Sequence, residues 1–148
     1  MRRFSLQRSF KTGYLLLLVA CSQNPQFIAS GSSSADFEER EVSAVIATAL
    51  ADEAAGISTD TLFMPSARIV VNGRNRTESP LFAGIGTGGQ VAISSSQMEV
   101  RPNSSWGLVE YRWESRDGAA REGRATFVLT QVAPGQWRIQ HVHSSSPQ

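Results

Sequence analysis

The chain predicts an α+β domain, with N-terminal helices packed on a curved antiparallel sheet of about five or six strands. Three observations carry that reading. Residues 36–55 repeat apolar side chains at helical spacing, with Val42, Val45, Ile46, Ala49 and Leu50 on one stripe. From residue 67 onward, runs rich in β-branched and aromatic residues are separated by turn formers. The last two runs, Arg124–Val132 and Trp137–His143, are joined by Ala133-Pro134-Gly135-Gln136 and read as a closing hairpin.

Composition narrows the function. The 148 residues are 41% hydrophobic and carry a net charge of +1, which suits one soluble core and gives no reason to expect a nucleic acid partner. The single cysteine, Cys21, rules out an intrachain disulfide and any Cys-based metal cluster.

At the N-terminus, Arg2, Arg3, Arg8 and Lys11 precede the apolar run Tyr14–Ala20, which ends at Cys21. Basic residues, a short apolar core and then small residues form an export signal, too short to span a bilayer. Leu18-Val19-Ala20-Cys21 resembles the lipobox of bacterial lipoproteins. The resemblance implies a signal peptide over 1–20, cleavage before Cys21, a diacylglycerol on its sulfur with acyl chains such as palmitate, and a lipoprotein anchored in the bacterial cell envelope. Residues 21–34, rich in Ser and other small or polar residues, read as a flexible tether, leaving 35–148 as the domain.

Within the domain, Asp36 and Glu39 suggest a capping box for the first helix, which ends near Gly56. Ser58-Thr59-Asp60 caps a short second helix that Pro65 stops. Ala67–Val71 is a strand, and Asn72-Gly73 turns it into Arg74–Glu78. The glycine-rich stretch 79–90 lacks both the Lys-Ser/Thr and the following helix that a phosphate loop needs, so it reads as a lid-like loop. Val91–Val100 and Trp106–Glu114 are further strands, the second with Val109, Tyr111 and Trp113 on one face and Leu108, Glu110, Arg112 and Glu114 on the other.

Strict alternation along the last run puts Trp137, Ile139, His141 and His143 on one face, a candidate pocket floor. Tyr111 and Trp113 join them as candidate ligand-binding residues.

The helices, the Asn72-Gly73 hairpin, Trp106-Gly107-Leu108-Val109-Glu110-Tyr111-Arg112-Trp113 and above all Gly135-Gln136-Trp137-Arg138-Ile139-Gln140-His141-Val142-His143-Ser144 resemble a nuclear-transport-factor-2-like domain of the SnoaL-like kind. The resemblance implies a cone-shaped sheet wrapped around helices, a pocket at the open end and a homodimer. It covers about residues 36–146.

Two function classes follow. One is a non-catalytic module, membrane-attached through lipidated Cys21, that binds a small, partly apolar ligand or mediates dimerisation and assembly. The other is an isomerase, cyclase or dehydratase in which His141 or His143 moves protons while Tyr111 or Arg112 stabilises an enolate-like oxygen. Those four are candidates only, no catalytic residue being assigned. His141 and His143 lack a third ligand for a metal, and no cofactor is implied.

Overall fold

The computed structural model describes residues 33–147; the expected signal peptide, Cys21 and the expected tether up to residue 32 lie outside them. Helix α1 runs Ser34–Ala55, starting earlier than the Asp36–Glu39 box suggests. Its cap is Ser33: the Asp36 N–H donates to Ser33 Oγ at 3.2 Å, and the Ser33 N–H donates to Asp36 Oδ2 at 3.0 Å. Gly56 ends the helix in the left-handed region, φ 72°. Val42, Ile46, Ala49, Leu50 and Ala54 form its buried stripe. The expected second helix is one 3₁₀ turn, Asp60–Leu62.

Six strands follow: β1 (Phe63–Val71), β2 (Arg74–Arg76), β3 (Gly89–Arg101), β4 (Ser104–Ser115), β5 (Ala120–Ala133) and β6 (Gln136–Ser145). Their order across the sheet is β2-β1-β6-β5-β4-β3. Strands β3 to β6 form a meander of hairpins, and β1 and β2 pair through Asn72-Gly73, as the turn residues predict. The sheet is mixed rather than wholly antiparallel, because β1 lies parallel to β6. That ladder breaks between Phe63 and Arg68, and Pro65, which has no N–H to donate, falls inside the break.

This order puts β2 and β3 on opposite edges. The chain between them, residues 77–88, must therefore cross the sheet, a distance of roughly 24 Å at about 4.8 Å per strand. It crosses on the face that carries α1, and it is an anchored part of the core, not a lid. Phe82, Ala83 and Ile85 are buried. Glu53 of α1 accepts the Leu81 N–H at 3.1 Å and the Ser79 hydroxyl. The Ala83 N–H donates to Ser144 Oγ at 3.0 Å, and Gly88 N–H donates to the Ala54 carbonyl at 2.7 Å. The inner face is thus filled by one helix and one crossing segment. Close approach makes this possible: an added Cβ on Gly107 would sit 3.1 Å from Ile46 Cδ1, and one on Gly84 would sit 2.6 Å from the Glu122 carbonyl oxygen.

Candidate functional site: the open outer face of the sheet

On β4 the alternation holds. Val109, Tyr111 and Trp113 face the core, and Leu108, Glu110, Arg112 and Glu114 face outward. Tyr111 and Arg112 therefore lie on opposite faces and do not converge on one reacting group. Tyr111 donates to the Ala83 carbonyl at 2.7 Å, and burial pushes its phenol well above the ordinary value. Arg112 is exposed and pairs with Glu114 at 2.8 Å.

On β6 the alternation breaks. Ile139 pairs with Leu129 and His141 pairs with Val128, which leaves Gln140 as one extra residue, a β-bulge. Past that bulge the phase is reversed. Trp137 and Ile139 point into the core, but so do Val142 and Ser144, while His143 is exposed and His141 partly exposed. The expectation that both histidines share a face with Trp137 and Ile139 is corrected here. Trp137, Ile139, Tyr111 and Trp113 do come together, as members of one core cluster with α1 and the crossing segment.

The histidines instead belong to two rows that cross five strands on the outer face. One runs Val70, His143, Thr126, Leu108, Gln97; the other runs Arg68, His141, Val128, Trp106, Glu99. Val70, Leu108, Val128 and Trp106 are each only partly buried, and among the described residues no element packs over them. The Trp106 indole N–H donates to Glu99 Oε2 at 2.9 Å and Arg101 contacts the same carboxylate, and together they hold the Glu99 carboxyl below its usual range. Glu110 is lowered likewise, chiefly by the hydrogen bond from Arg124 and then by that from Ser95. The result is an apolar centre edged by paired charges. Trp106, Val128 and Val70 were not singled out from sequence. Their signal is that Val70 and Val128 are apolar residues whose neighbours at i±2 are polar or charged, and that Trp106 and Leu108 are two adjacent apolar positions on a face that otherwise carries Ser104, Glu110 and Arg112.

Among the described residues no group of three or more His, Cys, Asp or Glu side chains could hold a metal, and no helix is long and apolar enough to cross a membrane.

No family model matches the sequence, and no curated protein matches it either. Solved structures do match in fold. The association domain of CaMKII from C. elegans superposes with a TM-score of 0.60 at 14% identity, covering 76% of this chain and 98% of that one. A nuclear transport factor 2 (NTF2-like) superfamily protein from Salmonella enterica gives 0.56 at 16% identity, covering 76% and 92%. A ketosteroid isomerase homologue from Shewanella frigidimarina gives 0.50 at 17% identity, covering 77% and 96%. The chain therefore has the NTF2-like fold, as its final strand suggests, and these likenesses establish the fold alone.

Proposed function

We propose that this protein is a self-association module, held at the bacterial cell envelope by a lipidated Cys21, whose domain pairs with a second copy through the outer face of its sheet. The observation that supports it most is the pair of outer rows centred on Trp106, Leu108 and Val128, apolar residues with nothing packed over them among the described residues. Five strands at about 4.8 Å spacing, used over roughly 35 Å of their length, offer an area on the order of 800 Å², about what each partner of a stable complex contributes. A face with an aromatic anchor among apolar neighbours and charged pairs beside them has the composition of an interface. The CaMKII neighbour is itself an association domain, which favours the same use here.

Proton transfer by the histidines gains less support. The imidazoles and the Tyr111 hydroxyl sit on opposite faces of the sheet, so no single bound molecule touches both. Acylation at Cys21 is supported by the Leu18-Val19-Ala20-Cys21 pattern behind a basic, apolar leader.

Two measurements test this reading. Sedimentation equilibrium should give a dimer for the wild-type chain and a monomer for Leu108→Arg/Val128→Arg, with an unchanged far-ultraviolet spectrum; a monomeric wild type sinks the pairing. Cys21→Ser should move the protein from the membrane fraction to the soluble one, and unchanged fractionation counts against the anchor.

A further inference from the structure

At one end of the sheet, the β1–β2 turn, the crossing segment and the start of β5 enclose a cleft of about 530 Å³. Pro80 and Ile85 give it an apolar floor, Asn72, Arg76 and Arg121 stand around it, and Glu122 borders it. The two arginines differ from Arg101, Arg112 and Arg124, each of which has a glutamate partner. Among the described residues neither Arg76 nor Arg121 makes an ion pair or a side-chain hydrogen bond. Arg121 is nevertheless held in place, because its guanidinium lies 5.3 Å from the centre of the Trp113 ring. Stacking on an aromatic face leaves the in-plane N–H donors free, and less freedom is lost when they bind an anion. Asn72 Oδ1 accepts from the Ser146 N–H at 3.1 Å, which leaves the Asn72 amide NH₂ as one more donor without a protein partner.

We propose that this cleft binds a small monocarboxylic acid with an apolar body, its carboxylate between Arg76 and Arg121 and its body against Pro80 and Ile85. Planar guanidinium forks match a carboxylate, and the volume falls in the range of roughly 300–1,000 Å³ that small ligands occupy. Two cations against one Glu122 carboxylate leave a surplus suited to one negative charge rather than two or three. The cleft lies at the end of the sheet, apart from the outer-face rows, so it does not depend on the pairing reading and either can fail alone.

The test is calorimetric titration of the full chain with octanoate, octanol and inorganic phosphate in separate arms. Saturable octanoate binding is expected, with octanol and phosphate at least about tenfold weaker. Arg76→Gln and Arg121→Gln should each weaken octanoate about tenfold or more. Arg76 is exposed on the short strand β2, so its variant keeps the test valid if Arg121→Gln lowers the melting temperature through lost stacking. Absence of saturable octanoate binding, equal affinity for octanol or phosphate, or full affinity in the folded Arg76→Gln variant would each overturn the proposal.

Discussion

The Tyr111 hydroxyl donates to the Ala83 carbonyl oxygen at 2.7 Å, tying the centre of β4 to the middle of the segment that crosses the inner face. Between them these two residues decide what the cone can hold. The Tyr111 hydroxyl is spent on backbone. Tyr111→Phe keeps the ring and deletes the bond, so it should cost about 0.5–1.5 kcal/mol by urea denaturation. It should leave the proposed pairing through the outer face unchanged. The phenol also sets an alkaline limb. Its folded value is raised above the ordinary 10, so its contribution is complete below pH 10 and is lost as the pH rises beyond it. Stability measured from pH 9 upward should fall, and Tyr111→Phe should fall less steeply.

Gly123 sits opposite Tyr111 in the β4–β5 ladder. A Cβ there would run into the Tyr111 ring and within 2.5 Å of the Ala83 carbonyl oxygen. Both neighbours are buried and the second is backbone, so neither can yield cheaply. Gly123→Ala should therefore destabilise by roughly 1–3 kcal/mol or more, as overpacking does. A variant as stable as wild type would mean that the crossing segment is not seated as described.

Glu53 anchors the same segment from the helix side, through the Ser79 hydroxyl and the Leu81 N–H. Glu53→Ala leaves the part-buried Leu81 N–H without its acceptor, at a cost of about 1 kcal/mol or more. The loss should be local as well as global. Hydrogen exchange at Leu81 and Ala83 should speed up far more than at the β5 amides of Phe127 and Leu129, which lie between two paired strands. Equal acceleration everywhere would argue that Glu53 supports the whole fold rather than the crossing.

Most of this architecture was legible because period and turn chemistry agree. The stripe Val42–Leu50 gave the helix, and Asn72-Gly73 and Pro134-Gly135 gave two hairpins whose positions hold to within a residue or two. On β4, alternation placed Val109, Tyr111 and Trp113 together correctly. The candidate site was less legible, and the reason is a single residue. Gln140 adds one position to β6 that β5 does not match, and a one-residue offset turns every later side chain over. Nothing local in Ile139-Gln140-His141 marks a bulge. The hint lay further along, in that strict alternation buried two imidazoles and exposed Val142. Nor could sequence show that the glycine-rich stretch drives Phe82, Ala83 and Ile85 into the core. That follows from strand order, which forces residues 77–88 to pass from one edge of the sheet to the other.

Glu99 provides the acid-side counterpart of the tyrosine. The Trp106 indole N–H, then Arg101, lowers its carboxyl below the ordinary 4.5. A depressed carboxylate stabilises the fold above its unfolded value and loses that effect as the pH falls through the folded one. Its contribution should accordingly be constant from pH 7 to 5 and decline progressively as the pH falls below about 4.5. Glu99→Gln should therefore shrink the acid limb of a stability–pH curve while leaving the alkaline limb to Tyr111. Because Trp106 belongs to the apolar part of the outer face, freeing its indole also alters the surface proposed to pair. In the pairing proposed above, Glu99→Gln should weaken self-association relative to wild type at pH 7, read by sedimentation at matched concentrations. An unchanged dissociation constant with a flattened acid limb would place Trp106 outside the contact and move the interface toward the Val70–Leu108 row.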